Sequence, residues 1–159
     1  MKKIIAATAL VLVSACANNT QISSLNTDEE RTVKTSPHES GTQTDLEATA
    51  GSRVYFGYDQ YELSSQAQAT LRRQASWLEQ YPDVSVQLAG NTDERGTREY
   101  NLALGARRAE AARAYLISLG ISSDRLRTVS HGKERPVVNG ATERAWSENR
   151  NATTTVTSR

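Results

Sequence analysis

The stretch that decides the fold reads Val84-Ser85-Val86-Gln87-Leu88, then Asn91-Thr92-Asp93-Glu94-Arg95-Gly96-Thr97, then Leu104 and Arg108. Val84, Val86 and Leu88 alternate with polar residues, which is the period of a half-buried strand. A dense polar loop follows. Beyond it the spacing predicts a helix from about Thr97 to Leu119, closed by Gly120 as a left-handed cap with Ile121 positioned to pack back. Strand, polar loop and helix in this order make one unit of an alternating α/β chain.

The flanking sequence repeats the alternation. Val54-Tyr55-Phe56 reads as a short strand. A helix is expected next: Ser65 and Gln68 fit the capping-box pattern, Ala67, Leu71, Ala75 and Leu78 recur at helical spacing, and Pro82 stops it. Residues 126–130 predict a third strand, 142–150 a short helix and 153–157 a last strand. The order β-α-β-α-β-α-β predicts an α/β sandwich with its helices packed on one sheet.

A chain of 159 residues allows one domain of ordinary size with a modest core. Its formal net charge is +1, which argues against a general nucleic-acid binder. The first 15 residues read as a secretory signal, with Lys2 and Lys3 before a ten-residue apolar run that is too short to span a bilayer. Cleavage there removes two of the 19 basic residues, leaving 17 against 18 acidic ones and a mature chain near neutrality.

The run ends in Val13-Ser14-Ala15-Cys16, which resembles a bacterial lipobox, whose cysteine thiol takes a diacylglyceryl group. The alternative is an ordinary signal peptide with an incidental thiol. Cys16 is the only cysteine, so capping it leaves no disulfide to form. One acyl chain binds a membrane marginally and two or three hold stably, so the expectation is an anchor that does not cross the membrane. Residue 17 is Ala, where an inner-membrane retention signal would place Asp, so the expected destination is the outer membrane. Residues 17–50 are rich in Asn, Thr, Ser, Glu and Gln, with Ile22, Leu25, Val33 and Leu46 too scattered to form a face. They predict a disordered tether that would reach roughly 110 Å if extended, ahead of a folded domain over residues 51–159.

Within the second helix, Leu104, Ala112, Tyr115 and Leu119 fall on one face with Arg108 among them. An arginine on an apolar stripe either snorkels out or meets an anion. The helix starts just after Gly96, so its free N–H groups and positive dipole end face the loop and favour a carboxylate. Asp93 on the same turn supplies an acceptor for an ammonium group. Two readings stay open on these grounds: an internal Asp93–Arg108 salt bridge that fixes the loop, or a clamp for both ends of a zwitterionic amino-acid centre.

Asn91 to Thr97, with Glu99-Tyr100-Asn101, Leu104, Gly105 and Arg107-Arg108-Ala109, resembles the signature of the peptidoglycan-associated lipoproteins (Pal) of the OmpA C-terminal-like family. Val54 to Asp59, Gly132-Lys133-Glu134-Arg135-Pro136 and Asn149-Arg150 extend the resemblance across most of residues 54–150. It implies an OmpA-like domain with helices on a mixed four-stranded sheet, no cofactor, and non-covalent binding of the peptidoglycan stem peptide at meso-diaminopimelate. It also implies a cell outer membrane protein facing the periplasm that tethers the membrane to the wall within the Tol-Pal system. Laid onto single positions, Arg108 would take the diaminopimelate carboxylate and Asp93 the amine, and Asp59 would line the same groove. Thr92, Glu94, Arg95 and Gly96 would shape the loop, and Leu104 would form an apolar wall. For Glu94 and Arg95 a solvated surface pair competes with that role, and for Leu104 a core position does. Two positions depart from the family pattern. His131 stands where tyrosine is common, and Asn149-Arg150-Asn151-Ala152-Thr153 lacks the usual second arginine and apolar strand, which predicts a frayed edge strand.

Two other classes remain as alternatives. A wall hydrolase would use Asp59 and Asp93 as an acid/base pair, but the sequence offers no Ser-His-Asp or Cys-His set, and His38 lies in the tether. His38 and His131 are too far apart in sequence to suggest a metal site. A protein-interaction module is the second alternative, since Pal relatives bind the periplasmic propeller protein of the Tol system (TolB-like) through a surface overlapping the peptidoglycan groove.

Overall fold

In the computed structural model, which describes residues 39–158, the alternating periods resolve into helix α1 (Gln43–Thr49), strand β1 (Arg53–Tyr55), α2 (Ser65–Gln80), β2 (Ser85–Asn91), α3 (Arg98–Ser118), a 3-10 turn (Ser123–Arg125), β3 (Leu126–Gly132), α4 (Glu143–Asn149) and β4 (Asn151–Ser158). The signal segment, Cys16 and the tether over residues 17–38 lie outside the described residues. The four strands form one mixed sheet in the order β1-β4-β2-β3. β2 and β3 are parallel, as a helical crossover requires, while β4 runs antiparallel to both β1 and β2. The expected α/β sandwich with a mixed four-stranded sheet is the architecture found.

Val54, Leu71, Leu78, Val86, Leu88, Ala112, Leu116 and Leu126 meet in one core between the helices and the sheet. Every one of them came from a predicted period except Leu116. On α3 the buried line runs through Leu104, Arg108, Ala112 and Leu116, a strict four-residue row, so Tyr115 and Leu119 are only half-buried. At the end of α3 the Ile121 N–H donates to the Leu116 carbonyl and the Gly120 N–H to Ile117, with Gly120 at φ +98°. That is the expected glycine cap in its Schellman form.

Three expectations are corrected. The tether does not extend to Ala50: residues 43–49 are a helix, and Leu46 is fully buried. A seven-residue helix with one large apolar side chain has no face visible in the sequence, and tertiary contacts hold it instead. The Asp45 carboxylate accepts from the Gly41 N–H and from the Trp77 indole on α2, and the Gln43 amide bonds both the Thr154 carbonyl and the Val156 N–H of β4. Gln43 thus pairs the stretch of β4 edge that three-residue β1 is too short to reach.

The cap of α2 is Ser64, one residue before the expected Ser65; its hydroxyl accepts from Ala67 N–H, and Gln68 turns back to the Leu63 carbonyl. Finally, β4 is neither frayed nor at an edge. It lies between β1, which pairs residues 151–153, and β2, which pairs residues 152–158, and its polar residues find partners inside. Thr154 donates to the buried Gln74 side chain, and Asn151 accepts from Asn91. A run of β-branched threonines suits the pleat once those hydroxyls are satisfied.

Candidate functional site

The polar loop begins where β2 and α3 come closest. A Cβ on Gly90 would sit 1.8 Å from the Gly105 carbonyl oxygen, and one on Gly105 would meet Ser130 Oγ at 2.4 Å. Only paired glycines allow this approach, and it sets α3 deep enough for Arg108, one turn beyond Gly105, to reach under the end of β2. The β2–β3 register shifts between Gly90 and Asn91, after which the Thr92 N–H donates to the Gly132 carbonyl and turns the chain out of the sheet. Asn101, 1% exposed, donates to the carbonyls of Arg95 and Thr97 and holds the loop against the start of α3.

An open-mouthed cleft of about 150 Å³ results. It is smaller than pockets for drug-sized ligands, and its scale suits the end group of an amino acid. Of the residues expected from the sequence, Asp59, Thr92, Asp93, Arg95, Gly96, Leu104 and Arg108 line it. Leu104 is buried yet stands outside the main core, so it is a wall of the cleft. Glu94 does not line the cleft; its side chain points away and accepts from the Trp146 indole. The sequence reading missed four lining residues, Tyr58, Tyr100, Asn101 and Arg150. Tyr58 and Arg150 lay in stretches that carry the family resemblance, with no periodic signal to single them out. Tyr100 and Asn101 sat within the recognised motif without an assigned role.

Arg108 is wholly buried. Its guanidinium donates to three backbone carbonyls, Nε to Gln60 at 2.8 Å and the terminal nitrogens to Asn91 at 2.8 Å and Gly57 at 3.0 Å. It also lies 5.2 Å over the Phe56 ring. Burial pushes the group down to about 10, countered in part by the charge of Asp93. Arg108 therefore stays cationic at neutral pH. Five N–H donors less three bonds leave one on each terminal nitrogen, the pair that a carboxylate takes in bidentate fashion.

Asp93 does not pair with Arg108 by direct contact. Its carboxylate is held in a fork by Arg95, at 2.6 Å and 3.3 Å, receives the Arg95 backbone N–H, and is approached by Arg150 at 3.4 Å. Burial alone would raise this carboxyl, but the hydrogen bonds and charge of Arg95, joined by Arg150, outweigh it and hold it below the ordinary carboxylate value. The internal Asp93–Arg108 bridge considered from the sequence is thus replaced by an Arg95–Asp93–Arg150 clasp. Nor is Arg95 part of a solvated pair with Glu94; its guanidinium is stacked between the Tyr58 ring at 4.2 Å and the Trp146 ring at 4.1 Å.

Asp59 faces the same space from the loop after β1. It takes the left-handed conformation, φ +57°, rare outside glycine, and accepts a short hydrogen bond from the Tyr100 hydroxyl across the mouth of the cleft. That bond is the main cause that raises the Tyr100 hydroxyl above its ordinary value. Lys133 donates to the carbonyls of Glu94 and Gly96 and pins the outer side of the loop. His131, half-buried near Arg135, is absent from the lining; burial first and the Arg135 charge second push it below its ordinary value. Three guanidiniums, of Arg95, Arg108 and Arg150, face two carboxylates, of Asp59 and Asp93. Such a cleft accepts a ligand that carries both charges with carboxylate in excess.

Comparison with known proteins extends these observations. The profile of the OmpA family matches residues 55–150. A peptidoglycan-associated lipoprotein of Rhizobium meliloti is 51% identical over 114 residues, covering 72% of this chain and 65% of that protein, so the chain spans just under two thirds of that relative's length. The crystal structure of the peptidoglycan-associated lipoprotein from Burkholderia pseudomallei superposes with a TM-score of 0.65 at 45% identity, covering 67% of this chain and 90% of that one. The C-terminal domain of Helicobacter pylori MotB, at 18% identity and a TM-score of 0.63 over 67% of this chain and 84% of its own, shares the fold alone.

Proposed function

Since the chain belongs to the OmpA family, we propose that it is an envelope lipoprotein whose cleft binds the stem peptide of peptidoglycan without covalent chemistry. The observation that carries this reading is the meeting of Asp59, Asp93 and Arg108 in one cleft of amino-acid size. The diaminopimelate carboxylate takes the two uncommitted N–H donors of Arg108. The ammonium group enters between Asp93 and Asp59, sharing Asp93 with its arginine partners. Leu104 lies against the aliphatic stem between the two charged ends.

The chain acts as a binding module and not as an enzyme. The OmpA family match and the peptidoglycan-associated lipoprotein relatives support that reading. The further expectations form part of the same proposal: triacylation at Cys16, anchorage in the outer membrane with the domain in the periplasm, and a Tol-system propeller protein competing for the cleft. Together they describe a tether between membrane and wall that supports envelope integrity and constriction at division. Their support is the lipobox-like run and the motif resemblance.

The test is co-sedimentation with purified sacculi. Asp93→Asn keeps the shape of the side chain and removes its charge, so it is expected to abolish co-sedimentation while circular dichroism stays that of the parent chain. Undiminished sedimentation of Asp93→Asn, or none by the parent chain, would sink the reading. Release of soluble muropeptides by the parent chain would instead favour the hydrolase.

A further inference from the structure

Against the charged groups of the cleft stands α4. None of its side chains lines the cleft, yet two of them touch the charged groups that do. Trp146 stacks its indole on the Arg95 guanidinium at 4.1 Å, completing the sandwich begun by Tyr58, and its Nε1–H donates to Glu94 at 3.1 Å. Glu143 accepts from Arg150 at 2.8 Å and lies 4.0 Å from Arg95. Arg150, just past the helix end, completes the set by bonding the Phe56 carbonyl and reaching Asp93. One carboxylate, Asp93, is therefore held by two arginines, and both arginines are held in turn by α4.

This arrangement has a physical consequence. A guanidinium on a flexible stem loses rotamer entropy when it is fixed, and a surface pair seldom repays that loss. Stacking between two rings and a second carboxylate remove the freedom beforehand, so that the fork on Asp93 persists and its oxygens keep one orientation. We infer that Trp146 and Glu143 are positioning residues that aim the Asp93 carboxylate through Arg95 and Arg150. The inference rests on the stem-peptide reading of the cleft and adds to it a support layer drawn from a different element of the fold.

The test uses the full chain in detergent and a diaminopimelate-containing muropeptide as probe, with affinity measured by calorimetry. Trp146→Leu removes the stacked ring, and an affinity loss of about tenfold is expected with an unchanged far-ultraviolet spectrum. Trp146→Phe keeps a ring over Arg95 and is expected to stay within about twofold of the parent. The decisive comparison is made in an Arg95→Gln background: there Trp146→Leu should cost nothing further, because the residue it acts through is gone. Should Trp146→Leu not fold, Glu143→Gln, an exposed position, carries the comparison in an Arg150→Gln background, with a loss of about threefold expected in the parent and none further there. Parent-like affinity in Trp146→Leu, or an equal loss with and without Arg95, would overturn the inference while leaving the stem-peptide reading intact. Failure of the parent chain to bind the muropeptide would overturn both.

Discussion

Two arginines in this molecule do similar things at opposite ends of β2. Arg108 donates to the carbonyls of Gly57, Gln60 and Asn91; Arg125 donates to those of Leu78, Tyr81 and Val84. Each ties a strand end to a neighbouring loop or helix end with charge-assisted bonds. The difference lies in what surrounds them. Arg125 is half-buried at the C-terminus of α2, where orphan carbonyls and the negative dipole end already attract a cation. Arg108 is fully buried, no helix C-terminus supplies its three carbonyls, and two carboxylates stand across a cleft from it. Backbone bonding alone thus does not mark a ligand site. The mark is a buried cation with donors left over and opposite charge arranged nearby without touching it.

The comparison can be broken by truncation. Arg108→Ala strands three carbonyls that water reaches poorly and opens a cavity, so a loss of about 4 kcal/mol is expected in urea unfolding. Arg125→Ala exposes its carbonyls to solvent that can replace the donor, and about 1–2 kcal/mol is expected. Equal losses would mean that the burial of Arg108 has no energetic consequence.

A second break targets what sets Arg108 so deep. Gly90→Ala forces a methyl group into the Gly105 carbonyl, a backbone atom that cannot turn aside. Displacement of α3 with a loss of about 3 kcal/mol is expected, together with loss of sacculus binding. The Arg125 end of β2 should be unaffected, which hydrogen exchange at the amides of the 3-10 turn would measure.

Acid distinguishes the two ends by charge. The folded Asp93 carboxyl lies below its unfolded value of 3.8. Its clasp therefore adds stability that is fully present above that pH and is lost as pH falls through the lower folded value. Stability measured from about pH 5 downward should decline less steeply in Asp93→Asn than in the parent. Identical slopes would show that the clasp is not linked to folding.

The smallest effect sharpens the comparison from the side. Gln43→Ala leaves both arginines alone and removes the side chain that pairs the free stretch of β4 edge. A loss of about 1 kcal/mol is expected, with sacculus binding unchanged. A drop in binding would mean that α1 and the cleft are coupled.

Much of this was legible beforehand where a local period carried it. Val84, Val86 and Leu88 announced β2, Leu71, Ala75 and Leu78 announced α2, and Gly120 with Ile121 announced the end of α3. Asp93 and Arg108 stood out because charge at a strand end and charge on an apolar stripe each break a local rule. What stayed hidden depended on partners distant in the chain. Leu46 looked stray until Trp77 and β4 were set around α1, and the polar residues of β4 looked like an edge until Gln74 met Thr154 and Asn91 met Asn151.

The sequence alone determined the order of strands and helices from β1 to β4, the polar loop at the end of β2 and the cation on the apolar stripe of α3. Those features follow from periods of two and of about 3.6 residues and from the cost of burying charge, all of which act over a few positions. Only the tertiary structure decided that Arg150 joins Arg95 on Asp93, where β4 lies in the sheet and which helix supports the charged groups of the cleft. Asp93 and Arg150 are 57 residues apart, and Trp146 and Glu94 are 52. Such pairings form when independent segments are packed together, and no local pattern encodes which of several arginines will come within reach of a given carboxylate.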